Sequence, residues 1–130
     1  MDLRQSAVCQ VLIPVDDLDR AIAFYRDTLG LPLLFTAPPQ MSFFQCGPVR
    51  LLVGVPPPDQ PKHRVPALYI QVPDIHAVHQ ELASRGVVFG GVPHIVHRTG
   101  SDDLWLTEFV DPDGNQLALM AQMPTRSDAS

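Results

Sequence analysis

The chain has 130 residues, of which 45% are hydrophobic and 18% are charged, and its formal net charge at pH 7 is −5. This apolar share is enough for a folded core, so extensive disorder is not expected although fourteen residues are prolines, about twice the ordinary usage. A single lysine and the lack of basic runs argue against nucleic-acid binding, and no apolar stretch is long enough to predict a membrane span.

The N-terminal residues and the two cysteines bear on the cellular compartment in which the protein is expected. The N-terminal residues MDLRQSAVCQ lack the apolar core of a signal peptide, which favours the cytoplasm. The two cysteines, Cys9 and Cys46, are too few for a disulfide framework and do not have the spacing of a metal knuckle. We therefore expect both thiols to be reduced.

The first half of the chain predicts a strand, a helix and three more strands. Residues 8–15 alternate as a β-strand, and Asp17 has the position of a helix N-cap. Apolar residues then recur at helical spacing until Gly30, a residue typical of a C-cap. Strand-like runs follow at 31–35, 41–46 and 49–55.

The second half repeats this order after a linker. Residues 56–66 contain five of the fourteen prolines and predict a stiff, extended connection. A strand at 67–72 is followed by the N-cap candidate Asp74, a helix, and the C-cap candidate Gly86. Further strands are predicted around 87–91, 94–98, 104–110 and 116–121, and residues 122–130 are expected to form a flexible tail.

The spacing of these signals indicates an internal repeat. The two N-cap candidates lie 57 positions apart, and the two glycines lie 56 apart. Each half, 8–55 and 67–121, would have a sheet with an apolar face that it cannot bury alone, so we expect the halves to share a single α+β domain over 1–130. The alternative is a chance α+β order in a ferredoxin-like domain.

Three segments carry a family resemblance. The chain reads VLIPVDDLDRAIAFYRDTLGLPLLF in the first half, and YIQVPDIHAVHQELASRGVVF followed by FVDPDGNQLALM in the second. Over about residues 8–121 it resembles the glyoxalase/bleomycin-resistance proteins of the vicinal oxygen chelate superfamily, which include dioxygenases. The resemblance implies two tandem βαβββ modules whose strands curl into a cup, in a homodimer.

The resemblance also implies where a divalent metal would be held. The family's four ligand positions map to Gln10, Leu52, Ala67 and Ala118. A catalytic divalent ion needs about three or four protein donors, and only the glutamine has one. We therefore predict that the usual metal site is absent and that no cofactor is bound.

Two residues are candidates for acid–base chemistry. His94 stands in PHIVHRTGSDDLWLTEF, which resembles a subset of the superfamily, and it would act as an acid or base if it points into the cup. The alternative is an exposed loop histidine. Glu108 lies on an apolar strand, where a carboxylate is costly unless paired, for example with Arg50 or Arg98. It could equally lie at a sheet edge or a dimer seam.

The other histidines are weaker candidates. His76 and His79, three apart on the second helix, are expected to be a solvated pair. His97 lies three residues after His94, and simple strand alternation would put the two rings on opposite faces, which makes a poor chelate.

Strand alternation also predicts the residues that line the cup. This set is mostly apolar and aromatic with a few polar anchors, which suits a small, partly hydrophobic or aromatic ligand with one anionic group. Its members are Gln10, Leu12, Phe44, Arg50, Leu52, His94, Trp105, Thr107, Phe109, Ala118 and Met120. The alternative is that these side chains simply fill the cup.

Three functions remain open from the sequence. The first is a cytoplasmic, homodimeric protein that binds a small molecule for sequestration or metal-free chemistry. The second is a divalent-metal-dependent lyase or dioxygenase with a rearranged site that uses Gln10, His94 and Glu108. The third is a regulatory or structural dimer whose cup is filled.

Overall fold

The computed structural model describes residues 2–59 and 67–125. The chain divides into two units, Met1–Val65 and Pro66–Ser130. Within the described residues, each unit holds one four-stranded sheet and one helix, and we call these the first and second modules. The predicted linker residues 60–66 and tail residues 126–130 lie outside the described residues.

The first module has the predicted order of elements. Its helix α1 (Leu18–Ile22) continues as a π-helical segment, Ala23–Thr28. The strands are β1 (Gln10–Pro14), β2 (Leu33–Ala37), β3 (Met41–Cys46) and β4 (Val49–Gly54). They lie in the order β1-β4-β3-β2, with β1 parallel to β4 and the other pairs antiparallel.

The second module has the same topology. Its helix is α2 (Ile75–Ser84). The strands are β5 (Leu68–Gln71), β6 (His94–Arg98), β7 (Asp102–Val110) and β8 (Gln116–Pro124). They lie in the order β5-β8-β7-β6, and again only the first pair, β5 with β8, is parallel. The predicted α+β fold of two βαβββ modules is confirmed.

The predicted helix boundaries are also confirmed. The Asp17 carboxylate accepts a hydrogen bond from the Arg20 amide, and the Asp74 carboxylate accepts from the amides of His76 and Ala77. These bonds satisfy amides that have no partner within the helix. After the helices, Gly30 and Gly86 adopt positive φ values of 78° and 96°, which favour glycine.

One side of each sheet is covered by its own helix, and we call it the covered face. In the first module this face is formed by buried Ile13, Leu51 and Val53, against Ala21 and Tyr25 of the helical segment. In the second module the buried residues are Ile75 and Leu82 of α2 and Phe109, Leu117 and Leu119 of the sheet. The other side of each sheet, which its helix does not cover, is the open face.

The end of β8 corrects one prediction. Residues 122–124 were expected to belong to the flexible tail, but they form the last part of β8. They are ordered because β7 is equally long and pairs with them as far as Asp102 opposite Pro124. Both strands have nine residues, whereas β3 and β4 of the first module have six.

Candidate functional site

The open face of the first module brings together four of the predicted ligand-binding residues. In the parallel β1–β4 pair, Gln10 lies opposite Arg50 and Leu12 lies opposite Leu52. Directly opposite residues have their side chains on the same face of a sheet. Leu12 is 57% exposed, so this face carries apolar surface that the module itself does not bury.

Arg50 is held in place on this face by two contacts. Its Nε donates a hydrogen bond of 2.8 Å to Oε1 of Gln10. Its Cζ lies 5.4 Å from the centre of the Phe43 ring, within the range of a cation–π contact. The guanidinium therefore has a fixed position above an aromatic ring, while the residue remains exposed to solvent.

A second aromatic ring extends this surface. Phe43 stacks on Phe35 with ring centres 4.4 Å apart and planes 23° apart. An irregularity in β2 at Leu34 puts Leu33 opposite Phe44 and Phe35 opposite Phe43, so Phe35 joins the open face. Neither Phe35 nor Phe43 was among the residues predicted to line the cup.

The predicted place of Phe44 is wrong. Phe44 is fully buried on the covered face, where its ring centre lies 5.8 Å from that of Tyr25. It lies opposite Leu51, whereas Phe43 lies opposite Leu52. Phe44 therefore packs under the helical segment and is not on the open face.

The open face of the second module has a different row of residues. Ala118 of β8 has Tyr69 of β5 opposite it on one side and Glu108 of β7 on the other. Met120 lies opposite Leu106. Ala118 and Met120 are therefore on the predicted face. Glu108 is exposed, and its Oε2 accepts a hydrogen bond of 3.3 Å from Nε2 of Gln116.

Three further residues of this module were predicted to line the cup, but they lie on the covered face. Trp105, Thr107 and Phe109 alternate with Glu108, so they belong to the covered face. The Trp105 ring contacts His76 of α2, and the Phe109 ring contacts Phe89. The hydroxyl of Thr107, which is 1% exposed, donates to the carbonyl of Gly91. None of the three is on the open face.

His94 and Glu108 line the same small cavity. Its volume is about 220 Å³, and its other lining residues are Gly90, Gly91, Val92 and Thr107. His94 is exposed, and its Nδ1 lies 3.3 Å from the carbonyl oxygen of Val92. A carboxylate and an imidazole beside one cavity are the groups that proton transfer needs.

The predicted arginine partners of Glu108 are wrong. The structure instead pairs Glu108 with Gln116. Arg50 bonds Gln10 within its own module, and Nε of Arg98 lies 3.9 Å from a carboxylate oxygen of Asp103 on the covered face. Because Glu108 is exposed, its charge needs no buried counter-ion.

The other histidine predictions also need correction. An irregularity after Ile95 puts His94 opposite Leu106 and His97 opposite Leu104, so both histidines are on the open face. His76 and His79 each pack on an aromatic ring, with ring centres 4.7 Å from Trp105 and 4.2 Å from Phe89 respectively. Each ring therefore has an aromatic partner, while His76 remains exposed and His79 is half-buried.

The four family metal positions do not fit a divalent ion. Leu52, Ala67 and Ala118 have no donor atoms. The one donor, Oε1 of Gln10, accepts a hydrogen bond from the Arg50 guanidinium, whose positive charge opposes a metal ion beside it. Across residues 2–59 and 67–125, no three His, Cys, Asp or Glu side chains are grouped so that they could hold a metal.

The turn between β3 and β4 was a signal that could have placed Phe43. Cys46 lies opposite Val49, so only Gly47 and Pro48 form the turn. Counting back from a two-residue turn puts Leu52 opposite Phe43, not Phe44. Tight hairpins fix register in this way, and the sequence shows the Gly-Pro pair.

The first unit also contains the two cysteines, and both are free thiols. Burial raises the pKa of the Cys46 thiol above its ordinary value, while Cys9 is exposed. A raised pKa lowers the fraction of thiolate at neutral pH, and the thiolate is the nucleophile. Cys46 is therefore not an activated nucleophile.

A family model for the Glyoxalase/Bleomycin resistance protein/Dioxygenase superfamily matches residues 7–119. The chain belongs to this superfamily. The match extends over both modules, in agreement with the shared topology of the two sheets. No curated protein sequence gives a significant match.

Solved structures of the superfamily agree with the fold. TnmS3, an antibiotic binding protein from Streptomyces sp. CB03234, is 26% identical with a TM-score of 0.72, over 92% of this chain and 97% of that one. Lactoylglutathione lyase from Agrobacterium tumefaciens is 25% identical with a TM-score of 0.69, over 89% and 93%. A superfamily member from Sphaerobacter thermophilus DSM 20745 is 28% identical with a TM-score of 0.71, over 89% and 97%.

In the part of the chain that the structure describes, no helix is both long and apolar enough to span a bilayer.

Proposed function

We propose that this superfamily member binds a small, partly aromatic molecule on the open face of its first module, for sequestration or for chemistry that uses no metal. The observation that supports this most directly is the position of Arg50, which is bonded to Gln10 and lies above the ring of Phe43. A fixed guanidinium beside exposed aromatic surface is suited to an aromatic ligand with an anionic group.

The chemistry of this surface limits the ligand. Gln10 uses the Nε–H of Arg50, so the two terminal nitrogens remain to bind a carboxylate or phosphate through parallel hydrogen bonds. Phe35 is 47% exposed and offers a ring on which a flat ligand can stack. Leu12 adds further apolar contact.

The comparison with TnmS3 supports binding as the function. That protein is an antibiotic binding protein with the same fold over nearly the full length of both chains. Binding without turnover needs no metal, in agreement with the poor donor set at the family metal positions.

A thermal-shift measurement tests the proposal with 2-naphthoate and its uncharged counterpart, 2-naphthylmethanol. A ligand at 100 times its dissociation constant stabilises a protein by about 2.7 kcal/mol. We expect naphthoate to raise the melting temperature more than the alcohol does. Substituting Arg50→Met should weaken naphthoate binding about ten-fold or more, because it removes a charge-assisted hydrogen-bond pair.

The matched control is Arg85→Met on α2. Arg85 is also exposed and also has a side-chain partner, since it lies 3.1 Å from the Glu81 carboxylate. This variant should bind naphthoate as the parent protein does. Equal naphthoate binding by the Arg50 variant and the parent would contradict the proposal.

The alternative function is a divalent-metal-dependent lyase or dioxygenase with a rearranged site. One observation favours it, namely the cavity that His94 and Glu108 share. Metal analysis of protein purified without chelator separates the two functions. Near-stoichiometric divalent metal that is lost on substituting Gln10 would favour the enzyme and contradict the binding protein.

We also propose that the chain forms a homodimer and acts in the cytoplasm. Leu12 and Tyr69 expose more than half of their surfaces, at 57% and 55%, and a second copy would bury apolar surface of this kind. The two free thiols agree with a reducing compartment. Light scattering during gel filtration should give twice the mass of the chain, and a monomer mass would contradict the dimer.

A further inference from the structure

The second module has a groove on its covered face, beside an extension of the β7–β8 pair that the β3–β4 pair lacks. The pair Phe43–Leu52 of the first module corresponds to the pair Glu108–Ala118 of the second. Two residues further along these strands, the pair Met41–Gly54 therefore corresponds to the pair Leu106–Met120. The β3–β4 ladder ends at that pair, whereas the β7–β8 ladder continues through 102–105 and 121–124. This extension of the sheet forms the floor of the groove.

The groove has a volume of about 750 Å³, which is within the range of small-molecule sites. Its floor and walls come from β6, β7, β8 and the start of α2. The residues that the argument uses are Asp74, His76, Arg98, Asp103, Trp105 and Met123. We call it the outer groove, and it is on the opposite side of the sheet from Glu108.

Trp105 supplies the aromatic surface of the outer groove. Its ring is half-buried, and its centre lies 4.7 Å from that of His76 in an edge-to-face arrangement with planes at 75°. This contact fixes the orientation of the indole. Met123 adds a polarisable apolar contact nearby.

Asp103 supplies a buried negative charge. Its side chain is 6% exposed, and Oδ1 accepts a hydrogen bond of 2.9 Å from the hydroxyl of Thr125. Among the residues that the structure describes, the cation beside it is Arg98, whose Nε is 3.9 Å away and whose side chain is 65% exposed. A pair at this distance, with one partner in solvent, compensates a buried carboxylate only weakly.

We propose that the outer groove is a second binding site, and that it takes a small organic cation, an amine attached to a flat ring. The ammonium group would bond the Asp103 carboxylate, and the ring would lie against Trp105 and Met123. Ammonium groups are also attracted to the face of an indole, so the carboxylate and the ring favour the same charge.

The charges around the groove favour a cation over an anion. Two of its lining side chains are carboxylates, Asp74 and Asp103, and one is a guanidinium, Arg98. The Asp74 carboxylate is engaged at the start of α2, where it accepts from two amides, but its charge remains. Arg98 is the exposed, displaceable member of its pair, whereas Asp103 is the buried one.

The single tryptophan of the chain makes the test specific, because its fluorescence reports only the outer groove. We expect 2-phenylethylammonium to change the Trp105 emission saturably. The uncharged 2-phenylethanol should bind about ten-fold more weakly, and the anionic 3-phenylpropionate more weakly still. Equal affinity of the ammonium and the alcohol, or no saturable change, would overturn the proposal.

Two variants locate the effect. Asp103→Asn should weaken ammonium binding about ten-fold and leave alcohol binding unchanged, because it keeps the shape and removes the charge. If that variant does not fold, the variant Arg98→Met tests the same proposal. Removing the exposed competing cation should tighten ammonium binding about three-fold, and weaker binding would overturn the proposal.

Arg50→Met is the control for the other site. Arg50 is on the open face of the first module, so this variant should lose naphthoate binding and keep ammonium binding at the outer groove. Ammonium binding that is lost together with naphthoate binding would contradict a separate site. Failure of naphthoate binding alone would count only against the proposed function of the first module.

Discussion

The two modules share a scaffold but differ on the open face. In the first module the central row is Leu12, Leu52 and Phe43, beside a guanidinium that Gln10 holds. The corresponding row of the second module is Tyr69, Ala118 and Glu108, beside the amide of Gln116. The first row places aromatic and apolar side chains beside a guanidinium, and the second places a tyrosine and an alanine beside a carboxylate.

The covered faces of the two modules are far more alike. Phe44 and Phe109 are corresponding residues, and both are buried under their helices. Ser42 and Thr107 also correspond, and each is a buried hydroxyl that donates to a backbone carbonyl. Close packing and the need to satisfy buried polar groups restrict which side chains fit on this face.

This difference shows where each function can develop. A helix packed on one side of a sheet fixes the volume and polarity of the residues beneath it, whereas the other side is free to change its chemistry. The second module also has a longer β7–β8 ladder, and its extension forms the outer groove. The two modules therefore present different side chains on the same scaffold.

The largest expected effect tests the assignment of the two faces. Phe44→Ala and Phe109→Ala each remove a ring that is at most 2% exposed, and each should lower the free energy of unfolding by about 3–5 kcal/mol. Phe43→Ala should cost less, about 2–3 kcal/mol, because Phe43, although only 8% exposed, lies beneath Phe35 and Arg50, which are themselves exposed and can relax into the space. Glu108→Ala, at the corresponding position, should change stability by about 0.5 kcal/mol or less.

Urea denaturation of the four variants measures these differences. We expect the free energy of unfolding to fall most for the two covered-face residues, less for Phe43, and almost not at all for Glu108. Equal losses for Phe43→Ala and Phe44→Ala would contradict the expected relaxation of the exposed side chains around Phe43.

A smaller effect compares the two helix caps. Asp74 accepts from two backbone amides and Asp17 from one. Each alanine substitution should cost about 1 kcal/mol, with Asp74→Ala the more destabilising, since it leaves two amides without their acceptor. Asparagine at either position keeps the acceptor and serves as the control. Equal losses with alanine and asparagine would show that the hydrogen bonds are not the cause.

The smallest effect concerns the thiols, which occur only in the first unit. Because burial raises the pKa of Cys46, iodoacetamide should alkylate it more slowly at neutral pH than it alkylates exposed Cys9. The same pKa shift makes the stability of the protein depend on pH. The unfolded thiol ionises at lower pH than the folded one, so the contribution of Cys46 is present below the unfolded pKa and is lost as pH rises through the folded pKa.

Mass spectrometry of alkylated peptides measures both rates in one sample. The single variants Cys9→Ser and Cys46→Ser show whether one thiol affects the other. Faster labelling of Cys46 at neutral pH would be incompatible with its burial.

Part of the proposed binding surface could be predicted from the sequence. The alternation of β1 and β4 placed Gln10, Leu12, Arg50 and Leu52 on one face, and the structure agrees. The same reasoning failed for β3 and β7, because alternation divides a strand into two sets of residues without showing which set faces the helix. A register change of one residue exchanges the two sets.

Irregularities in two strands caused the remaining differences between the predicted and the observed positions of side chains. The extra residue in β2 brings Phe35 beside Phe43, and the one in β6 brings His97 to the same side as His94. A bulge reverses the alternation after it, and neither bulge is marked by a glycine or proline in the strand. Spacing alone therefore gave the wrong relation between the two histidines.

The sequence by itself determined the duplicated βαβββ plan, because its signals are local. A capping aspartate, apolar residues at helical spacing and a glycine with positive φ act within one or two turns of the chain. Only the tertiary structure decided which side of each sheet is open, since that depends on cross-strand register and on where the helix packs. It also decided that Asp103 and Trp105 line a groove, because the paired extension of β7 and β8 forms its floor.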